Sequence, residues 1–257
     1  MKNMLIIGIV LLLTIKISAE LRTEVVEYKH GDAILEGYLV YESNIEGKRP
    51  GVIVVHEWWG HNQYVRKRAE QLAGLGYLAF AIDMYGKGKT AKNAKEAGEL
   101  AGRFRGDREL MRARANAGLD VLKKHDLADA KRIAAIGYCF GGTTVLELAR
   151  GGAGLSGVVS FHGSLDAPNY DKKDIKAKVL VLHGGDDSSV KPEHMSGFQD
   201  EMRKSNVDWQ VYIYGGAVHS FTNPDSGNDP SKGVAYNEKA DMRSWEAMKL
   251  FFAEIFR

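Results

Sequence analysis

Short apolar segments alternate with segments of helical spacing along most of the chain. The apolar segments are Gly51–His56, Tyr77–Ile82, Arg132–Tyr138, Gly157–Phe161, Lys178–His183 and Trp209–Tyr214, and such runs are typical of parallel strands buried on both faces. Helical spacing is found near Tyr64–Leu75, Ala91–Phe104, Asp107–Lys124, Gly142–Ala149, Glu193–Lys204 and Asn237–Phe256. This alternation predicts an α/β fold with a mostly parallel central sheet, helices on both faces and ligands at the carboxyl ends of the strands.

The residues before the first apolar segment follow a different pattern. Polar and apolar residues alternate in TEVVEY and AILEGYLVY, on either side of His30-Gly31-Asp32, which predicts an N-terminal antiparallel hairpin. The chain has 257 residues, which is enough for one large α/β domain with a full core. We therefore predict a single domain over residues 20–257.

The first 19 residues have the pattern of a signal peptide. Lys2 precedes an apolar run, Met4–Ile15, and the small residues Ser18 and Ala19 stand near its end, so cleavage after Ala19 and export to the periplasm or the medium are predicted. The run is shorter than the roughly 20 residues of a membrane-spanning helix, so no stable membrane anchor is expected. An uncleaved anchor is the alternative, because Lys16 interrupts the pattern.

Charge adds little to this picture. The 35 basic and 33 acidic side chains nearly balance, which gives no indication of nucleic acid or of an acidic partner. The stretch 86–106, GKGKTAKNAKEAGELAGRFRG, is rich in Lys, Gly and Ala and is interpreted as a solvated surface helix. We predict a small-molecule substrate, a monomer, and neither metal nor cofactor.

The single cysteine, Cys139, is the strongest candidate for chemistry. One cysteine cannot form an intramolecular disulfide, and its ordinary role would be that of a small buried hydrophobic residue. However, Gly137-Tyr138-Cys139-Phe140-Gly141 lies between a predicted strand and a predicted helix and matches the G-x-nucleophile-x-G turn. The helix N-terminus there would favour a thiolate. A phosphate-binding turn is disfavoured, because the dinucleotide fingerprint and the Walker lysine are absent.

Partners for a cysteine nucleophile follow in the order acid, then histidine. Asp186 and Asp187 come after one predicted strand, and His219 comes after the next, which is the chain order of this kind of catalytic triad. We predict that His219 is the base and that Asp187 orients it, with Asp186 in the turn or capping the next helix.

An oxyanion hole in this architecture uses two backbone N–H groups. One belongs to the residue after the nucleophile, here Phe140, and the other to the turn after an earlier strand. That turn lies in VVHEWWG, where Trp58 follows the strand. We predict the N–H groups of Phe140 and Trp58 as the donors.

Together these motifs resemble those of the dienelactone hydrolase family. The resemblance extends from about His56 to the C-terminal helix and depends on VVHEWWG, AIDMYGKG, IGYCFGG, VVSFHGSL, HGGDDSSV and GGAVHSF. It implies an α/β-hydrolase fold without a large cap domain and a carboxymethylenebutenolidase-like carboxylic ester hydrolase acting on a small ester or lactone. The family's triad would be Cys139, His219 and Asp187, and its characteristic glutamate would be Glu57.

The resemblance also implies a role for Glu57. In the family mechanism the resting thiol is neutral and contacts this glutamate, and substrate binding displaces the carboxylate, which then takes the thiol proton. Because thiolates are the oxidisable form of cysteine, such a switch would protect Cys139 between turnovers. The alternative is that Glu57 is an ordinary loop carboxylate.

Two departures from the family pattern affect the predicted substrate. Family members that hydrolyse dienelactone bind its carboxylate with two arginines, and Lys87 and Asn223 occupy those places here. Lysine lacks the planar fork of arginine, and asparagine has no charge, so dienelactone itself is disfavoured. Tyr85, Lys87, Trp59 and His162 are predicted to contact the substrate, although aromatic residues at such positions often serve packing.

Two other classes of function compete with a hydrolase. A non-catalytic binding protein could use the same fold, because fold does not imply function. A thiol redox protein would need an external thiol, because no second cysteine is present.

Overall fold

A computed structural model describes residues 20–167 and 175–257, in which eight strands form one sheet. The strands are β1 Leu21–His30, β2 Ala33–Glu42, β3 Arg49–Val55, β4 Leu78–Ile82, β5 Ala128–Tyr138, β6 Gly157–Phe161, β7 Lys178–Gly184 and β8 Trp209–Tyr214. The helices are α1 Gln63–Ala73, α2 Ala94–Gly106, α3 Arg108–Lys124, α4 Phe140–Arg150, α5 Pro192–Lys204 and α6 Glu238–Ile255, with short 3-10 helices at Pro224–Ser226 and Pro230–Lys232. The predicted signal peptide, 1–19, lies outside the described residues.

The sheet order is β1-β2-β4-β3-β5-β6-β7-β8. Strands β3 to β8 pair in parallel, whereas β1 pairs with β2 and β2 pairs with β4 in antiparallel fashion. The predicted fold class is therefore confirmed, and the predicted hairpin is present as β1 and β2. Within the described residues, no helix is long and apolar enough to span a bilayer.

The parallel strands have apolar side chains on both faces because helices cover both. Val52 of β3 packs in a cluster with Phe252 of α6, and the next residue, Ile53, packs on the opposite face with Leu119 of α3. Alternate side chains of a strand point to opposite faces. This explains why the strands have continuous apolar sequences rather than alternating ones.

Some element boundaries differ from the prediction for local reasons. Strand β5 begins at Ala128 rather than Arg132, because the start of β3 pairs with Ala128 and Asp129 before a shift of register. Helix α2 begins at Ala94 because the side chain of Asn93 accepts a hydrogen bond from the Glu96 N–H group. A side-chain cap of this kind fixes the first residue of the helix, so residues 91–93 are not helical.

The carboxyl ends of the parallel strands place chemical groups along one edge of the sheet. Glu57 lies just past β3, Cys139 follows β5, His162 follows β6, Asp187 lies past β7 and His219 lies past β8. In a parallel sheet these ends meet at the same edge. The fold therefore brings together residues that are far apart in the sequence.

Candidate active site

Cys139 occupies a strained turn between β5 and α4. Its φ is 54° and its ψ is −113°, a conformation that residues other than glycine rarely adopt. A Cβ atom on Gly137 would lie 2.0 Å from the carbonyl oxygen of Gly141, and one on Gly141 would lie 2.2 Å from the carbonyl oxygen of Val55. The two glycines therefore permit the close approach of strand and helix that holds the cysteine.

The predicted partners of Cys139 lie beside it. The Nε2 atom of His219 is 3.1 Å from Sγ of Cys139, and Nδ1 of His219 is 2.8 Å from Oδ2 of Asp187. The other oxygen of Asp187 accepts hydrogen bonds from the N–H and hydroxyl groups of Ser189 at 2.9 and 2.5 Å. Asp187 is buried whereas Asp186 is exposed, so the structure distinguishes between the two carboxylates.

The charges of this group stabilise one another. Burial would raise the pKa of Asp187, but hydrogen bonds from His219 and Ser189 outweigh it and lower that pKa to about 2. Burial also opposes protonation of His219, yet negative charge on Cys139 and Asp187 holds the pKa of His219 well above its usual range. The contacts of His219 therefore favour the protonated form of its imidazole.

His162 contacts the backbone of Cys139 rather than lining the cleft. Its Nδ1 atom accepts a hydrogen bond from the backbone N–H of Cys139 at 3.0 Å, so Nε2 bears the proton and donates to Oγ1 of Thr222 at 2.7 Å. Burial lowers the pKa of His162 well below its usual range, which keeps the ring neutral. The structure thus places His162, a predicted substrate contact, behind the cysteine.

His56 orients the peptide of the second predicted oxyanion donor. Its Nε2 atom accepts from the N–H of Met84 at 3.3 Å, so Nδ1 donates to the carbonyl oxygen of Glu57. That carbonyl belongs to the peptide whose N–H is that of Trp58. The N–H groups of Trp58 and Phe140 make no hydrogen bond within residues 20–167 and 175–257, and they are available to an oxyanion. His56 was visible in the sequence only as a histidine at a strand end, because its two partners are backbone groups that no sequence pattern shows.

Glu57 contacts the loop that carries His219. One carboxylate oxygen accepts from the Ser220 hydroxyl, and the other accepts from Nδ2 of Asn223 at 2.7 Å. Burial raises the pKa of Glu57 although these hydrogen bonds oppose the shift. The resemblance predicted contact with the resting thiol, but Cys139 pairs with His219 instead. Within the described residues, each oxygen of the Glu57 carboxylate accepts one hydrogen bond, from Ser220 or from Asn223.

An open cleft of about 820 Å³ leads to Cys139. Trp58 and Trp59, the latter a predicted substrate contact, line it with their ring centroids 5.1 Å apart. Arg105, from the end of α2, lines both this cleft and an adjoining cavity of about 400 Å³. Sequence reasoning missed Arg105 because it assigned the whole stretch 86–106 to a solvated helix.

Two predicted substrate contacts lie elsewhere. Tyr85 is buried, and its hydroxyl donates to the carbonyl oxygen of Trp58 at 3.0 Å, so it supports the cleft wall. Lys87 does not line the cleft, because its Nζ lies 2.7 Å from Glu27 and 3.7 Å from Glu36 on the hairpin. Attraction to these two carboxylates directs the lysine away from Cys139.

The fold and the cysteine turn define an α/β-hydrolase. A family model described as the dienelactone hydrolase family matches residues 35–256, and the chain belongs to that family. It is accordingly a hydrolase.

Two solved structures and one relative found by sequence agree with this membership. The structure named m3DLH is 41% identical, with a TM-score of 0.88, and the match covers 92% of this chain and 99% of that one. A dienelactone hydrolase-like promiscuous phosphotriesterase from metagenomic libraries is 42% identical, with a TM-score of 0.88, over 93% of this chain and 100% of that one. Protein usf of Aquifex pyrophilus is 27% identical over 236 residues, 90% of this chain and 98% of that protein.

Replacing His162 tests whether it positions the nucleophile. His162→Asn keeps a residue that tolerates the positive φ of 41° but is too short to bridge Cys139 and Thr222. We expect kcat for an activated ester to fall by roughly a hundredfold, because small misplacements of reacting groups have effects of that size, with KM little changed. A raised KM at unchanged kcat would instead indicate a substrate contact.

Proposed function

We propose that this hydrolase cleaves small carboxylic esters or lactones through a covalent thioester on Cys139. The observation that carries the proposal is the hydrogen-bonded series from Sγ of Cys139 through His219 to Asp187, with separations of 3.1 and 2.8 Å. A nucleophile, a base and an orienting acid in this relation are the requirements for acyl transfer. A binding protein without activity would not need them.

The first half of the reaction forms the thioester. The thiol proton passes to Nε2 of His219 and the sulfur adds to the substrate carbonyl, whose oxygen becomes negative. The N–H groups of Trp58 and Phe140 donate hydrogen bonds to this oxyanion. The C–O bond to the leaving group then breaks, and His219 returns the proton to the departing alkoxide. Asp187 stabilises the imidazolium while it exists.

The second half releases the acid. A water molecule enters where the alcohol left, and His219 takes a proton from it as its oxygen attacks the thioester carbonyl. The tetrahedral intermediate collapses with cleavage of the C–S bond. The proton on His219 returns to the sulfur or stays in the ion pair, and the carboxylic acid leaves through the cleft. With a lactone, the alcohol and acid groups remain in one product.

A second candidate activity uses the same thiol. The structural relative at 42% identity is a promiscuous phosphotriesterase, and attack of a thiolate at phosphorus needs the same base and a similar set of oxyanion donors. The cleft of about 820 Å³ is open enough for a branched substrate. An aryl phosphotriester therefore belongs in the substrate panel beside esters and lactones.

Cys139→Ala tests the proposed chemistry directly. Since alanine has no nucleophile, we expect turnover of aryl esters, simple lactones and the phosphotriester to fall to the uncatalysed rate, measured as product release under saturating substrate. Full activity of Cys139→Ala would contradict the proposal, and stoichiometric ligand binding without turnover in the wild type would favour a binding protein.

Asp187→Asn should reduce kcat by about a thousandfold or more, because the imidazole loses its orienting charge.

Arg105 is expected to select for negative charge in the substrate. Arg105→Met should raise KM about tenfold for an ester with a free carboxylate, the size of one charge-assisted hydrogen bond, and should leave KM for its neutral methyl analogue unchanged. Arg103→Met is the matched control, because Arg103 is on the same helix but lines a separate cavity. Equal changes for both esters would contradict this role.

A further inference from the structure

We infer that the cavity of about 400 Å³ beside Cys139 is a second substrate subsite, which binds the hydroxylated arm of an ester or lactone. The cavity is lined by Cys139 and His219, and the same two residues line the larger cleft. The carbonyl carbon of an ester carries two arms, one acyl and one alkoxy, so each of the two spaces can receive one arm. This inference rests on the proposed function and names the class of substrate.

The lining of the cavity is polar throughout the described part of the chain. Apart from Cys139 and His219, it consists of charged and hydroxyl side chains, namely Arg105, Arg108, Thr143, Ser164, Asp166 and Ser189. The larger cleft differs, because Trp58 and Trp59 form part of its wall. An apolar arm is therefore bound more favourably in the cleft, and the cavity suits an arm whose polar groups replace the hydrogen bonds of water.

A buried ionic network fixes the wall of the cavity that follows β6. The side chain of Arg150 is 1% exposed, and it pairs with Glu147 at 3.0 Å and with Glu201 at 2.8 Å. The same guanidinium donates to the carbonyl oxygens of Leu165 and Asp166 at 3.3 and 3.2 Å. Buried charges are costly to remove from water, and these hold the backbone that carries Asp166. This part of the wall is therefore in place before a substrate binds.

The side chains of this wall also hold one another. The Ser164 hydroxyl donates to one oxygen of Asp166, and Nη2 of Arg108 lies 3.0 Å from the other. The hydroxyl of Thr143 accepts from the backbone N–H of Ser164 at 3.0 Å. Burial alone would raise the pKa of Asp166, but the hydrogen bond from Ser164 and two neighbouring arginine charges lower that pKa. Asp166 is therefore an anion beside a cation at neutral pH.

The pairing of Arg108 with Asp166 selects for hydroxyl groups. A hydroxyl both donates and accepts, so it can accept from an N–H of Arg108 and donate to a second lone pair of Asp166. A carboxylate only accepts, and it would lie beside the negative charge of Asp166. An ammonium group only donates, and it would lie beside Arg105 and Arg108. The substrate class that follows is an ester or lactone with neighbouring hydroxyls on one arm.

Two matched pairs of esters test this preference. The first pair is the phenyl esters of glyceric acid and of propanoic acid, and the second is the phenylacetates of glycerol and of propanol, so that the diol is placed on either arm. In one pair, the ratio of kcat/KM for the diol ester to kcat/KM for the plain ester should exceed the ratio of their hydroxide-catalysed rates by about tenfold, the effect of one hydrogen bond to a charged group. Enzymatic ratios equal to the hydroxide ratios in both pairs would overturn the inference.

Asp166→Ala tests the residue that accepts from the diol. In the favoured pair, the enzymatic ratio should fall to the hydroxide ratio, because the acceptor is gone. A structural defect would lower kcat/KM for both esters alike and leave the ratio unchanged. Asp225→Ala is the matched control, because Asp225 lines the larger cleft but not the cavity, and it should keep the ratio of the wild type. A ratio that is retained in Asp166→Ala, or lost in both variants, would contradict the subsite.

Binding to Cys139→Ala separates this inference from the proposed function. This variant cannot form the thioester, so calorimetry measures binding alone, and the diol ester of the favoured pair should bind about tenfold more tightly than the plain ester. Tighter binding of the diol ester, without turnover that depends on Cys139 in the wild type, would contradict the proposed function and leave the subsite in place. Turnover that depends on Cys139 without a diol preference would contradict only the inference.

Discussion

The contact between Sγ of Cys139 and Nε2 of His219 is the interaction on which the site depends. His219, 3.1 Å from the sulfur, is in a loop, residues 219–223, whose backbone forms a bridge with Val234. Buried polar side chains hold the loop as well. Glu57 contacts it from the end of β3, and Thr222 receives hydrogen bonds from His162 and, at its carbonyl oxygen, from Arg68 at 2.6 Å.

Further hydrogen bonds connect these residues to helices away from the cleft. Arg68 of α1 also pairs with Asp241 of α6 at 2.6 Å, and the hydroxyl of Tyr64 lies 2.6 Å from Oγ1 of Thr222. Buried polar networks stabilise a structure only when their members are satisfied. The loop is therefore tied to two helices and two strand ends. His56 and His162 serve in the same way, each neutral and each using both ring nitrogens on fixed partners.

The sequence was informative where a pattern or a motif decides the structure. Apolar runs predicted the parallel strands, and the order of Cys139, Asp187 and His219 predicted groups that the fold does bring together. Side-chain directions across the sheet were not predictable. Lys87 turns to carboxylates of the hairpin, and the Glu57 carboxylate turns to the His219 loop. Both outcomes depend on partners far away in the sequence, and no local signal shows them.

The central claim is that Cys139 becomes acylated during turnover, and mass spectrometry of the acid-quenched enzyme tests it most directly. With a slowly deacylating aryl ester, the account predicts an added acyl mass on the peptide that contains Cys139, which neutral hydroxylamine removes as expected for a thioester. The adduct should form in the wild type and be absent in Cys139→Ala. Turnover with no adduct on Cys139, or an adduct on another residue, would contradict the account.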